Sequence, residues 1–123
     1  MANLNTQQIL ATDFGNGHEH DFQLFKRSCS SVSQQTCVLA DAGYQGIAGL
    51  HPNSQTPAKK SKLHPLRQEQ KASNRALSRK RILIENIIRR LKIFRILSER
   101  YRNRRKRFGL RFNLIAAICN MEL

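Results

Sequence analysis

Residues 81–92 read RILIENIIRRLK, and this is the most informative stretch of the chain. Its apolar residues recur at the three- and four-residue spacing that is typical of one face of an α-helix. On such a helix Arg81, Glu85 and Lys92 share another face. One carboxylate between two cations suits a metal ligand beside a polyanion, but it is also the pattern of an intrahelical salt bridge. The surrounding sequence has to decide between these two interpretations.

The charge of the chain is strongly positive and unevenly distributed. Its 123 residues include 22 Lys and Arg against 8 Asp and Glu, a formal net charge of +14. Residues 1–58 hold two basic and four acidic residues, whereas residues 59–123 hold 20 basic and four acidic ones. This balance favours nucleic acid as the partner and an anionic membrane surface second. We therefore expect a basic DNA-contacting segment over about residues 59–111 and a scaffold before it.

Several classes of protein are disfavoured by the sequence. Cys29, Cys37 and Cys119 form no CxxC pair, and their odd number argues against a disulfide framework. No Cys or His residues recur at zinc-finger spacing. The N-terminus lacks the basic and apolar regions of a signal peptide, and the longest apolar run, 114–119, is too short to span a bilayer. We expect a cytoplasmic protein with no membrane partner.

The first half of the chain predicts strands with a short helix between them. Residues 8–13 have the pattern of a short strand that ends at a Gly-Asn-Gly turn. Asp21 can then cap a short amphipathic helix. Residues 36–40 have the pattern of a buried central strand, with Asp41 at its carboxyl end.

The second half predicts two helices. A loop over residues 51–63, with room for one short strand, leads to a long helix over 65–93. A C-terminal helix follows over 104–121. The fold class is therefore α/β, but one or two strands make too small a sheet to be self-sufficient. The apolar positions expected to pack these helices are Leu77, Ile84, Ile88 and Leu91 in the first, and Phe108, Phe112, Ile115, Ala116 and Cys119 in the second.

Asp41 and Glu85 form the one acidic pair with catalytic potential. A carboxylate at the carboxyl end of a buried strand faces the crevice where α/β sheets bind ligands, and a second one on a packed helix can meet it there. Carboxylates with substrate phosphate and water suit Mg²⁺, and paired ions promote attack on a phosphodiester. In the alternative, Asp41 caps the following turn and Glu85 neutralises Arg81 or Arg89. Spacing alone favours this alternative.

The other acidic residues of the first half are expected to be structural. Asp13 is explained as a turn residue beside Gly15, and Asp21 as a helix cap. His20 next to Asp21 suggests an acid–base pair, but neighbouring side chains point apart on most backbones.

The run at residues 100–107 is the strongest candidate for phosphate contacts. Six of its eight residues are cationic and none is acidic. Each cation that neutralises a phosphate should steepen the salt dependence of binding. No helix-turn-helix or zinc finger is present in the sequence, so base readout is not predicted. The cations assigned to DNA contact here are Arg102, Arg104, Arg105, Lys106 and Arg107.

A series of motifs, in one order, resembles a known family. The series is Gly15-x-Gly17-x-x-His20-Asp21, Asp41-Ala-Gly-Tyr-Gln-Gly46, His51-Pro-Asn53, Asn74-Arg-Ala-Leu-Ser-Arg79, Arg81-x3-Glu85-x6-Lys92, the run from Arg95 to Arg107 and the ending Asn113-Leu-Ile-Ala-Ala117. Together they resemble the C-terminal part of bacterial insertion-sequence transposases of the DDE superfamily, insertion-sequence-five type.

The resemblance implies an RNase H-like core with an Asp-Asp-Glu triad that holds Mg²⁺ or Mn²⁺. In such enzymes water attacks at the transposon end, and the freed 3′-hydroxyl then attacks target DNA. Asp41 matches the second acid and Glu85 the third, so both are implied as catalytic metal ligands. Arg81 and Lys92 match the basic residues that position the DNA end, with Arg89 as a neighbouring DNA contact.

Two departures from the family pattern have consequences for function. Ser78 stands where the family has a Tyr three positions before Arg81. The first Asp of the triad lies on a strand that precedes this chain, and neither Asp13 nor Asp21 takes its place. We therefore expect an incomplete RNase H-like fold that is inactive alone, with DNA and an upstream fragment or full-length transposase as partners. The alternatives are a non-catalytic basic DNA-binding or regulatory fragment, and a decayed relic.

Overall fold

The fold combines helices with a small parallel sheet, in agreement with the predicted α/β class. The structure, a computed structural model, describes residues 1–15, 17–28, 32–100 and 105–123. Its contacts define two units, one formed by residues 1–14 with 80–123 and the other by residues 15–79.

The unit of residues 15–79 begins with a short helix, α1, over Asp21–Ser28. The backbone N–H groups of Gln23 and Leu24 donate to the carbonyl oxygen of His20 and so start the helix. Asp21 lies in its first turn and basic side chains in its last, which matches the helix dipole at both ends. The predicted short amphipathic helix is confirmed.

Two strands in this unit form a parallel pair. Strand β1 is Val38–Leu39 and strand β2 is Ser54–Gln55, with Val38 opposite Ser54. A 3-10 turn at Ile47–Gly49 lies between them, and its Ile47 is buried. The prediction of a buried central strand over 36–40 is wrong in part, because β1 is half-buried and pairs with one neighbour in the described sheet. The short strand expected within the 51–63 loop is confirmed as β2.

The predicted strand over residues 8–13 is wrong. Only Ile9 makes a bridge of this kind, pairing antiparallel with Ala2. The N–H of Ile9 instead donates to Oδ1 of Asn120 at 2.8 Å, and its carbonyl accepts from Nδ2 of Asn120 at 2.9 Å. A side-chain amide thus takes the place that a neighbouring strand would occupy.

Three further helices complete the described chain: α2 over Gln68–Lys92, α3 over Arg95–Ser98 and α4 over Phe108–Met121. The predicted long and C-terminal helices are confirmed, each beginning three or four residues later than expected. One packing position was misplaced. Ile87 is 3% exposed, whereas the expected Ile88 is 41% exposed.

The predicted packing face of α4 is confirmed. Ile115, Ala116 and Cys119 are buried. The ring of Phe14 packs edge-on against Phe108 and Phe112, with centroids 5.3 and 5.0 Å apart. Within the described ranges, no helix combines the length and apolar character needed to cross a bilayer.

Candidate functional site

Asp41 lies two residues beyond Leu39, the last residue of β1, at the carboxyl end where the sequence placed it. Ala40 extends the ladder by donating its N–H to the carbonyl of Gln55 at 3.0 Å. The exposed carboxylate of Asp41 accepts the N–H of Ala42 at 2.6 Å, and its carbonyl accepts the N–H of Tyr44 at 2.9 Å. The turn contact foreseen for Asp41 is therefore present, and it orients the carboxylate without burying it.

The turn after Asp41 is held by the side chain of Gln45. Its Nε2 donates to the carbonyl oxygens of Ala42 at 3.1 Å and Pro57 at 3.2 Å. The next residue, Gly46, has a φ of 88°, a left-handed backbone conformation that residues other than glycine rarely adopt. Gln45 and Gly46 therefore both shape the turn that follows Asp41.

Two residues of the His-Pro-Asn motif tie the loop to the segment before β1. His51 is 4% exposed, and its Nε2–H donates to the carbonyl of Thr36 at 2.7 Å. Nδ2 of Asn53 donates to the carbonyl of Gln35 at 3.0 Å. Sequence reasoning assigned no role to either residue, although the motif itself was the available signal.

Asn74 and Ser78 show how the first half of α2 uses its polar residues. The side chain of Asn74 accepts the N–H of Ala58 at 2.9 Å and donates to its carbonyl at 3.0 Å. Ser78 donates its hydroxyl to the carbonyl of Asn74 at 2.9 Å. Asn74 therefore attaches α2 to the preceding loop, and Ser78 is bonded to its own helix.

Tyr44 connects α1 with the Asp41 turn. Its ring lies 5.5 Å from that of Phe22 and 6.1 Å from that of Phe25, measured between centroids. Burial raises the pKa of Tyr44, and the negative charges of Asp21 and Asp41 raise it further. The phenol is therefore within electrostatic reach of both carboxylates, a relation that sequence spacing did not reveal.

Glu85 lies in the other unit, on the exposed side of α2. Nε of Arg81 is 3.4 Å from Oε1 of Glu85, so the intrahelical ion pair is present. The two side chains are 63% and 56% exposed. An exposed pair of this kind contributes about 0.3–0.5 kcal/mol on a helix, so it does not rigidly fix the carboxylate.

The basic residues near the end of α2 divide into exposed and anchored ones. Arg89 and Lys92 are exposed, as expected for residues that contact DNA. Arg90 instead donates Nη2 to the carbonyl of Gln7 at 2.9 Å, and this bond is partly buried. We call Arg81, Glu85 and Lys92, with Arg89 beside them, the α2 row.

The basic run before α4 is described only in part. Lys106 and Arg107 are exposed in the 3-10 turn Arg105–Arg107. Arg102 and Arg104 lie outside the described residues. The structure therefore supports exposure for two members of the predicted phosphate-contacting run.

The carboxylates of Asp41 and Glu85 have the right chemistry for Mg²⁺ or Mn²⁺. Both are exposed, and hard divalent cations prefer oxygen donors. Within residues 1–15, 17–28, 32–100 and 105–123, no three His, Cys, Asp or Glu side chains group as a metal site. Asp41 and Glu85 belong to different units.

Comparison with known families matches residues 1–120 to the transposase DDE domain. The chain belongs to this DDE transposase family. It is also 55% identical over 118 residues to the "Probable transposase for insertion sequence element IS702" of Microchaete diplosiphon. That alignment covers 96% of this chain and 43% of the relative, so this DDE transposase chain spans less than half of the relative's length. No solved structure matches it. The resemblance to insertion-sequence DDE transposases is thereby confirmed.

Proposed function

We propose that the chain is a part of an RNase H-like transposase catalytic domain that contacts DNA and supplies two metal-binding acids. The observation that carries this proposal is the α2 row, an exposed carboxylate between cations in a chain that matches the DDE domain over residues 1–120. The reaction is Mg²⁺- or Mn²⁺-dependent cleavage and strand transfer in DNA transposition.

Exposure and charge support the DNA contact. Arg89 and Lys92 lie at the surface of α2, and Lys106 and Arg107 at the surface of the turn before α4. A phosphate backbone is the ligand that a dense set of exposed cations recognises without sequence preference. Arg81, Arg89, Lys92 and residues 102–107 are therefore assigned to phosphate contacts at transposon ends and target DNA.

Asp41 and Glu85 are the proposed metal ligands. The Ala42 N–H orients the Asp41 carboxylate, and α2 presents Glu85 to solvent between Arg81 and Lys92. When bound, the metal supplies Lewis-acid chemistry at the phosphodiester. Arg81 and Lys92 hold the anionic DNA backbone next to the Glu85 carboxylate. Their positive charges offset the repulsion between this carboxylate and the DNA.

The proposal also includes the absence of the first triad acid from this chain. The carboxylate of Asp13 accepts the N–H of Phe14 at 2.8 Å, a local turn contact, and Asp21 occupies the first turn of α1. Both therefore have structural roles. With two acids in place of three, the metal pair is under-coordinated, so we expect the chain to be inactive alone.

DNA binding is tested by fluorescence anisotropy with a labelled duplex over a series of salt concentrations. Lys92→Gln and Arg89→Gln should each reduce the slope of log affinity against log salt by roughly 0.9, because each removes one phosphate contact. Arg27→Gln makes the same change of charge in the acidic half and should leave the slope unchanged. Equal slopes for all four proteins would remove α2 from the DNA interface.

The metal assignment is tested by nicking of supercoiled plasmid with Mg²⁺ or Mn²⁺. The chain alone should not nick the plasmid. In a separate binding measurement, Glu85→Gln should raise the affinity of the chain for duplex DNA, because it removes a negative charge from the α2 row. Glu69→Gln, also on α2, is the matched control. Nicking by the chain that persists in Glu85→Gln would disprove the assignment of Glu85.

The second candidate function is a non-catalytic DNA-binding or regulatory fragment. The exposed ion pair between Arg81 and Glu85 favours it, because that contact satisfies Glu85 without a metal. Calorimetric titration with Mn²⁺ separates the two functions. Heat of binding that Asp41→Asn or Glu85→Gln abolishes supports the metal site, and heat that survives both substitutions supports the fragment that only binds DNA.

A further inference from the structure

Helix α4 is apolar on two opposite faces. Its inner face holds the buried Ile115, Ala116 and Cys119. On the other side an exposed apolar row recurs at helical spacing. Its members are Leu110, Leu114, Ile118 and Met121, with exposed fractions of 63%, 56%, 43% and 86%. We call these four residues the outer row.

The composition of α4 sets it apart from the rest of this basic chain. Between Phe108 and Met121 the sequence holds a single charged residue, Arg111. A helix that is apolar all round is normally enclosed by protein. Contiguous exposed apolar surface of this kind marks an interaction site. The outer row is therefore unsuited to DNA and suited to an apolar protein surface.

A groove lies between α4 and the N-terminal segment. It has a volume of about 180 Å³ and is lined by residues 9–12 together with Asn113, Ala116, Ala117 and Asn120 of α4. Leu10 lies at this groove and is 63% exposed. The same unit therefore carries a further exposed apolar side chain on a second segment, beside this groove.

We propose that the outer row and its groove dock the part of the transposase domain that this chain does not contain. The proposal rests on the proposed function in one respect, that the chain is one part of a larger catalytic domain. The IS702 relative shares 55% identity with the chain and has more than half of its length outside the matched region. That remaining polypeptide is the occupant to which we commit.

Charge argues against a second copy of this chain as the occupant. The unit that carries the outer row, residues 1–14 with 80–123, holds 13 basic and four acidic residues. Two such units brought face to face would repel each other. Like charges across an interface disfavour the pairing of two proteins. A partner without that excess of positive charge fits the surface better.

The test is co-expression of the full 123-residue chain with a tagged polypeptide comprising the remainder of the IS702 relative. The chain should co-purify with it in a near-equal molar amount. Leu114→Glu and Ile118→Glu should each reduce the recovered chain at least tenfold. Leu63→Glu is the matched control, because Leu63 is 86% exposed in a loop of the other unit, and it should co-purify like the unchanged chain.

A second measurement separates lost docking from lost folding. Leu114→Glu should raise the soluble fraction of the chain expressed alone, because it interrupts an exposed apolar surface, whereas a misfolded variant would lower it. The salt dependence with which the Leu114→Glu variant binds duplex DNA should stay unchanged. Failure of docking and failure of DNA binding are therefore distinguishable. The proposal is overturned if the unchanged chain does not co-purify, or if Leu114→Glu and Leu63→Glu behave alike. It is equally overturned if the chain forms a dimer that Leu114→Glu separates.

Discussion

Contacts within the chain constrain the surroundings of Asp41 more than those of Glu85. Around Asp41, the side chains of Gln45, His51 and Asn53 each bond to a backbone carbonyl in a neighbouring segment. Glu85, by contrast, forms an exposed ion pair with Arg81. The first acid is held in a turn, and the second extends from a helix surface.

This difference indicates where preorganisation ends. The partly buried bond from His51 to the Thr36 carbonyl is costly to break, whereas an exposed ion pair is weak and screened by salt. In the proposed site, the Asp41 carboxylate is ready before any ligand arrives. Glu85 depends on the packed side of α2 for its position and on DNA or metal for its final orientation.

The largest expected effect concerns the packed side of α2. Ile87→Ala should lower the free energy of unfolding by about 2–5 kcal/mol, because Ile87 is 3% exposed and its removal leaves a cavity. Ile88→Ala, at the adjacent exposed position, should change it by about 0.5 kcal/mol. Urea unfolding followed by circular dichroism measures both. Similar losses for the two variants would show that α2 packs through a different stripe.

The next effect concerns the Asp41 turn. His51→Ala should cost about 1–3 kcal/mol, because it leaves the Thr36 carbonyl without the bond from the imidazole. His64→Ala changes an exposed histidine of the same unit and should cost about 0.5 kcal/mol or less. The same unfolding assay applies. A His51 variant as stable as the His64 variant would remove the contrast drawn between the two acids.

The smallest effect concerns the pKa of Tyr44. Burial and then the charges of Asp21 and Asp41 raise this pKa, so the ionised phenolate is disfavoured in the folded state. The contribution of the neutral Tyr44 phenol to the stability of the fold is therefore complete below pH 10.0. It is lost as the pH rises from there through the folded-state pKa of Tyr44. In a Tyr101→Phe background, absorbance at high pH reports Tyr44 alone, because the chain has two tyrosines.

Substitutions at the two carboxylates sharpen that measurement. Asp21→Asn and Asp41→Asn should each lower the pKa of Tyr44 toward its ordinary value, without restoring it, since burial is the larger cause. Asp13→Asn removes a carboxylate that is not among the causes of this shift and should leave the pKa unchanged. An Asp41 variant with an unaltered Tyr44 titration would place the carboxylate too far from the phenol to act on it.

The long helices were predictable because their apolar residues repeat with the helical period over many turns. The helical period does not define which of two adjacent apolar residues faces inward. The sequence predicted Ile88 at the packed position, whereas Ile87 is the buried residue. The predicted strand over residues 8–13 was wrong for another reason. Its pattern is that of a strand, but the partner of Ile9 is the side chain of Asn120, which no local pattern reveals.

The candidate site was predictable in its acids and less so in its support. Asp41 follows a strand, and Glu85 shares a helix face with Arg81, as the spacing indicated. The contacts of His51 and Asn74 join residues 15 and 16 positions apart through backbone carbonyls. Such bonds depend on the path of the loop, so residue type alone could not assign them.

The amide of Asn120 has a consequence for how the chain is made. Its two bonds to Ile9 join residues 111 positions apart, so a ribosome has to add 111 residues after Ile9 before either bond can form. At about 5–20 residues per second, synthesis leaves the N-terminal segment waiting for several seconds or more. During that interval Leu10 and its neighbours are open to chaperones and proteases. The synthesis of α4, which carries Asn120, ends this interval.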